Sequence, residues 1–292
     1  MALRIGLVGL GVMGVPMAQN ISRAGLPLTV YNRSAGPRRQ FENSIVTVAG
    51  SVAEVFAQSD AIILMLNDGE ATDAVLGRTN DIFEINLADR IVVNTATMTP
   101  AYSKGLGEAI AKSGGVYVEA PVSGSKAPAE AGELLIMAAG DEEIVKKIQP
   151  VFDAIGKETV FCGAIPGAMA MKSASNLQLA GIMSGLAESV NFARGFGLDL
   201  ELYSKVILNG PLANDFLRMK LPRAIAEDYA PQAAVKNVAY SLDVMIEAAH
   251  SVGAETPSAK TMRKTCEKAL QAGDADKDIM TITKALKQTE NR

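Results

Sequence analysis

"LRIGLVGLGVMG", residues 3–14, is an aliphatic run that ends on glycine and then spaces Gly9, Gly11 and Gly14 as G-x-G-x-x-G. The run reads as a buried strand, and the residues after it, from Val15 on, open a helix. The spacing acquires a physical meaning only in that strand–turn–helix context. Gly9 allows the tight turn, Gly11 lets a pyrophosphate approach the backbone, and Gly14 lets the helix rest on the strand. The phosphates then meet the positive end of the helix. Leu10, Val12 and Met13 fill the intervening positions and belong to the same binding turn. A glycine-rich turn without a ligand is the plainer alternative.

The next aliphatic run, "LTVYN" (28–32), bears on which dinucleotide fits. An NAD site ends this strand in Asp or Glu, whose carboxylate accepts from the ribose 2′-OH and repels a 2′-phosphate. Here Asn32, Arg33 and Ser34 occupy that end, with Arg38 and Arg39 close behind. A guanidinium fork, a hydroxyl donor and further positive charge suit a phosphate, so the expected cofactor is NADP(H). Arginines that merely solvate a helix start would look the same.

Working outward, "AIILML" (61–66) and "RIVVNT" (90–95) continue an alternation of strand and amphipathic helix. That pattern is a parallel, doubly wound sheet. Ser51 with Glu54 reads as a capping box, and Thr99 before Pro100 as an N-cap with proline at the first helical position. Further strands are expected at 116–121, 133–140 and 158–163, with a helix on "DEEIVKKIQPVFDAI" between the last two. From Pro166 the texture changes: strand runs vanish, and apolar residues recur at three and four. A helix of around 30 residues beginning at Gly167, well beyond the average of about 11 to 12, suggests an element bridging two domains. Helices over 200–209, 213–227, 233–252, 257–271 and 276–288 would complete the second. The expected fold is α/β: a Rossmann-type dinucleotide-binding domain over 1–164, then an all-α domain over 165–292 for substrate and oligomer contacts, joined by the long helix.

Composition agrees with that size and narrows the class. The 292 residues are 48% apolar and carry a net charge of −4, which implies neither a nucleic-acid surface nor a basic membrane patch. Two cysteines and one histidine in no ligand spacing imply no metal site and no disulfide. The apolar start lacks a basic leader and a cleavage site, and no charge-free run of about 20 apolar residues occurs. A cytoplasmic protein is expected.

Lys172 and Asn176 lie four apart and share one face of the long helix. An ammonium there could protonate the oxygen of a carbonyl under reduction, and the neutral amine could take the alcohol proton in reverse. Asn176 could hold the lysine or the substrate oxygen in register. A lone helical lysine is ordinarily a solvated charge. Ser123, Gly124 and Ser125 form a polar turn whose hydroxyl and N–H groups could bind a carboxylate, though composition alone favours an ordinary turn. Met65, Leu66 and Asn67 end the third strand at the expected cofactor crevice.

Three motifs in order carry a resemblance: "GLGVMGVPMAQNI", "APVSGSKAPAEAGEL" and "GAMAMKSASN". They resemble the cofactor turn, the substrate loop and the catalytic helix start of the β-hydroxyacid dehydrogenase family. The second is most similar to the glyoxylate and succinic semialdehyde reductase branch. The resemblance implies that Lys172 is catalytic, that Ser123 to Ser125 bind the substrate's carboxylate, and that Thr97 lies near the nicotinamide, although Ala96 stands where the family commonly has serine. It also accompanies an expected homo-oligomer, a dimer or tetramer. One departure concerns the substrate. The semialdehyde branch usually carries an F-x-P-x-F stretch and then a Lys-Asp pair, where this chain has Ala233, Tyr240 and Ser241. Losing a ring and a charged pair enlarges and alters the substrate pocket. The leading expectation is an NADPH-dependent reductase of a small aldehyde or keto acid. An imine reductase on the same scaffold and a non-catalytic NADP-binding sensor are the alternatives.

Overall fold

The computed structural model describes residues 3–42 and 44–286, which form two compact units divided between Lys172 and Ser173. In the first unit, β1 (Ile5–Val8), α1 (Gly14–Arg23), β2 (Leu28–Tyr31), the single turn α2 (Ala35–Arg38), β3 (Thr47–Val48), α3 (Val52–Gln58) and β4 (Ala61–Leu64) build one half of the sheet. α4 (Gly69–Leu76), a small hairpin of β5 (Arg78–Thr79) and β6 (Ile82–Phe83), β7 (Ile91–Asn94), α5 (Pro100–Lys112) and β8 (Val116–Glu119) build the other. The strands run parallel in the order β3-β2-β1-β4-β7-β8.

Strand residues alternate between two cores. Leu7, Val30, Ile63 and Val93 pack with Met17 and Ile21 of α1 on one face. Val8, Ile62, Leu64 and Val92 pack with Val55 and Phe56 of α3 and Leu106 and Ile110 of α5 on the other. Cover on both faces is why the strands read as unbroken apolar runs. The cap on α5 forms as expected, with Thr99 Oγ accepting from Tyr102 N at 3.2 Å. The box on α3 is shifted: Ser51 Oγ accepts from Glu54 N, but the Glu54 carboxylate reaches Gly50 N at 2.7 Å rather than Ser51 N.

Two expected strands lie outside the six-stranded sheet. After β8 the chain reverses, so β9 (Val122–Ser123) runs antiparallel to β10 (Leu134–Ala138), with α6 (Lys126–Ala131) between them. α7 (Glu142–Ile155) then returns β11 (Gly156–Phe161) parallel to β10. An antiparallel bridge between Glu119 and Ala139 ties this small sheet to β8.

α8 (Gly167–Gly195) is one helix of 29 residues that contains the division; its first turns stay with the first unit. The second unit is otherwise α9 (Leu200–Asn209), α10 (Asp215–Ile225), α11 (Val235–Ser251), α12 (Pro257–Gln271) and α13 (Ile282–Ala285) around its own core of Leu186, Val190, Leu221, Leu242, Met262 and Ile279. The helix expected over 276–288 is replaced by a 3-10 turn, Ile279–Thr281, and the single turn α13; 287 and 288 lie outside the described residues. Asp278 is the cause. Its carboxylate takes both Lys220 Nζ, at 2.7 and 2.9 Å, and the N–H groups of Gln232, Ala233 and Met280, which holds the chain in a turn there.

Candidate active site

The register of the parallel sheet aligns Tyr31, Val8, Leu64, Asn94 and Glu119 in one row. The residues that follow each strand therefore leave from one edge, the carboxyl edge at which open α/β sheets bind ligands. The strand order reverses between β1 and β4, and the glycine turn stands at that point. Gly9 N donates to Tyr31 O and Met65 N to Val8 O, each at 3.0 Å, which fixes the turn to both neighbours.

The three glycines have three separate reasons. Gly9 has φ +104°, and a Cβ there would collide with the Met65 carbonyl. A Cβ on Gly14 would collide with the Gly9 carbonyl, so that glycine permits the close seat of α1. Gly11 is exposed, and a Cβ on it would meet nothing within 4 Å. Open space beside bare backbone is where a pyrophosphate fits. No side chain caps α1 and no acidic residue lies in its first turn, so its N-terminal field is available to an anion. Val12 is 65% exposed beside Gly11, Met13 half-buried and Leu10 buried.

At the end of β2, Asn32 faces inward more than the sequence suggests. Its Oδ1 accepts from Leu10 N at 2.9 Å, and its Nδ2 donates to Ser34 Oγ and Ser34 O at 2.9 and 3.2 Å. Asn32 thus braces the glycine turn, and the Ser34 hydroxyl, accepting from it, keeps its own proton to donate. Arg33 and Arg39 are exposed. Arg38 lies against the Tyr31 ring, 5.4 Å from its centroid.

Met65 and Leu66 are half-buried and Asn67 exposed as the chain leaves β4; Asp68 then caps α4 through Ala71 N. After β7, Thr95 Oγ donates to Leu64 O at 2.9 Å, Asn94 Oδ1 accepts from Ala96 N, and Thr97 is half-buried. Ser123 sits in β9 opposite Leu135, not in a loose turn. Gly124 has φ +138°, with Leu134 where a Cβ would go, and Ser125 begins α6 without capping it.

Lys172 is 8% exposed on α8, and burial lowers its amine to about 8. Asn176, one turn on, is half-buried and belongs to the second unit, as do Ala233, Tyr240 and Ser241. Ala233 precedes α11 and is held through its N–H by Asp278; Tyr240 and Ser241 are half-buried on α11. Sequence reasoning passed over Glu119. Burial raises its carboxyl pKa, which the Ser103 hydroxyl and the Met169 and Ala168 N–H groups offset only in part. An acid ending the apolar strand VYVE was the available signal.

Residues 4–163 match the NAD-binding domain of 6-phosphogluconate dehydrogenase, and 167–286 match the NAD-binding domain of NADP-dependent 3-hydroxyisobutyrate dehydrogenase. Glyoxylate/succinic semialdehyde reductase 2 of Arabidopsis thaliana is 32% identical over 99% of this chain and 80% of its own length. The chain belongs to the β-hydroxyacid dehydrogenase family. It is an NAD(P)-dependent oxidoreductase acting on CH–OH groups. The fold is shared with 3-hydroxyisobutyrate dehydrogenase of Mycobacterium tuberculosis (TM-score 0.86, 23% identity, 99% and 100% of the two chains). It is shared less closely with an imine reductase of Myxococcus stipitatus in complex with NADP+ (0.67, 20%, 97% and 100%). Among the described residues no helix is long and apolar enough to cross a membrane, and no group of three His, Cys, Asp or Glu side chains could hold a metal ion.

Proposed function

We propose that the protein is an NADPH-dependent reductase of a small aldehyde or keto acid, working reversibly as a 3-hydroxyacid-type dehydrogenase. The observation that carries this reading is Lys172, an amine buried and brought to about 8 in the same unit as the dinucleotide turn. An ordinary lysine near 10.4 is a poor acid at neutral pH, whereas one near 8 exchanges its proton readily in both directions. The nicotinamide, when bound, supplies the hydride. Lys172 gives the proton to the carbonyl oxygen and offsets the charge developing there, and Asn176 keeps the amine in register. Ser123, Gly124 and Ser125 hold a carboxylate on the substrate, Thr97 and Asn67 lie toward the nicotinamide half, and Arg33 and Ser34 hold the 2′-phosphate.

Ala233, Tyr240 and Ser241, in place of the aromatic and the charged pair of the semialdehyde branch, favour a substrate bulkier or less polar than glyoxylate. Turnover of NADPH with a panel of aldehydes, keto acids and cyclic imines tests the whole reading. A carboxylate-bearing carbonyl compound is expected to be reduced fastest, with turnover lost in Lys172→Ala. An imine reduced faster than every carbonyl compound would transfer the protein to the imine reductases. No turnover with any of them, despite tight NADPH binding, would favour a sensor.

A further inference from the structure

Glu119 ends β8 with no exposed surface. Its backbone is clamped to Ala139 by two hydrogen bonds of 2.9 Å, which fixes the root of the side chain. Its Oε2 accepts from Ala168 N at 3.0 Å and from Met169 N at 3.2 Å, in the first turn of α8. The start of a helix leaves N–H groups that need acceptors, ordinarily met by a Ser, Thr, Asp or Asn just ahead of it. Here the preceding residues are Gly163, Ala164, Ile165 and Pro166, and none has a side-chain oxygen. The cap therefore arrives from a strand 49 residues earlier. Gly167 N and Ala170 N are met by the carbonyls of Ala164 and Pro166, so the turn's donors are all engaged.

Lys172 stands one turn beyond Ala168, and helical side chains tilt toward the N-terminus, so its stem leans back over the turn that Glu119 holds. A buried carboxyl is a costly way to cap a helix, since a serine or asparagine would serve with less desolvation. The other oxygen, Oε1, is buried and makes no full hydrogen bond among the described residues; the Ser103 hydroxyl, which pairs with Tyr117 Oη at 2.8 Å, favours the charged carboxylate and relieves only part of that cost. Such expense at the root of this one turn points to a task beyond folding. We infer that Glu119 is a positioning residue for Lys172: by capping α8 from β8 it sets where the amine's turn begins and keeps that turn dry. The inference rests on Lys172 being the proton donor proposed above.

Glu119→Leu and Glu119→Ala remove the acceptor, one filling the space and the other emptying it. Glu119→Gln keeps an oxygen that is a weaker acceptor than a carboxylate. Each is assayed for melting temperature, NADPH binding and the pH profile of carbonyl reduction, which in the unmodified enzyme is expected to fall as pH rises through about 8, where the Lys172 amine loses its proton. With the first turn of α8 frayed, water reaches the amine. The falling limb then moves up by about one pH unit in the Leu and Ala variants. The displaced amine lowers kcat by about tenfold or more. NADPH binding is unchanged, because the glycine turn follows β1. The Gln variant moves the same way by less.

A limb that stays in place while the melting temperature drops identifies a purely structural cap and overturns the inference. A limb that moves down also overturns it, because that is the sign of a charge acting on the amine directly. If neither Leu nor Ala yields folded protein, the Gln variant decides by the same limb: unmoved or lowered, the inference fails. Lys172→Ala is run alongside. Turnover retained there defeats the proton-donor reading itself, whereas loss there with unperturbed Glu119 variants defeats only the positioning role.

Discussion

Replacing Lys172 by methionine should make the protein more stable and inactive at once. The side chain keeps nearly the same length and loses the ammonium, whose charge burial opposes. In the native state the amine lies at about 8, against 10.5 for an ordinary lysine. At 1.36 kcal/mol per pH unit, burying the ammonium costs roughly 3 kcal/mol wherever both states are protonated. The sign follows from proton counting. Below pH 8 native and unfolded chains both carry the charge and the penalty is complete. Between 8 and 10.5 the unfolded chain holds more protons than the native one, so stability rises with pH; above 10.5 the penalty is gone. Lys172→Met should therefore melt roughly 6–12 °C higher at pH 7, using about 2–4 °C per kcal/mol for large domains. The gain should shrink steadily toward pH 10.5. Carbonyl reduction should drop by about 10² to 10⁴, the usual worth of a general acid. Thermal melts at pH 7, 9 and 10.5 beside NADPH turnover make the measurement. A variant no more stable than the original at pH 7, or a gain that is the same at pH 7 and 10.5, would refute the reasoning, since any pH-independent part is only added apolar burial.

The cofactor corner gives a second test: Arg33→Ala with Asn32→Asp should weaken NADPH by about 1.5–3 kcal/mol and favour NADH, the new carboxylate still accepting from Leu10 N. Equal use of both cofactors by the unmodified protein would defeat the phosphate reading. Gly11→Ala should leave the melting temperature unchanged but weaken NADPH, because its Cβ enters space that only a ligand would fill, while Gly14→Ala should destabilise the fold itself against the Gly9 carbonyl. Normal NADPH affinity in Gly11→Ala would move the pyrophosphate elsewhere. Lys220→Met should cost about 3–5 kcal/mol in urea unfolding by leaving Asp278 buried without its cation; a loss under about 1 kcal/mol would mean that the N–H groups around Asp278 suffice alone. Ala233→Phe should lower kcat/KM for the larger aldehydes relative to glyoxylate, and an unchanged ranking would remove Ala233 from the substrate pocket.

Local pattern was enough for much of this protein. The G-x-G-x-x-G turn, the aliphatic runs and the switch to helical spacing after Pro166 are properties of short windows, governed by backbone sterics and by which faces must be buried. They placed β1, β2, β4, β7 and β8 to within two residues at each end, and the start of α8 and the whole of α9 to the residue. Where long-range partners compete with local preference, the windows fail. The segment from 276 has helical spacing, yet Asp278 turns inward to Lys220, 58 residues away, and the helix gives way to a turn. Residues 133–140 and 158–163 read as strands but not as members of a second sheet, because strand partners are chosen by the chain reversal between β9 and β10. The same holds for the site. Sequence could nominate Lys172, but the desolvation that brings its amine to about 8 exists only once other residues exclude water around it. Sequence could note Asn32 as a missing acid, but only the folded edge shows its amide spent on bracing Leu10 and Ser34. Glu119 marks the limit most sharply. A carboxylate at the end of an apolar strand signals a conflict with its neighbours, and what resolves it, two N–H groups at the root of α8, is joined to it by tertiary structure alone.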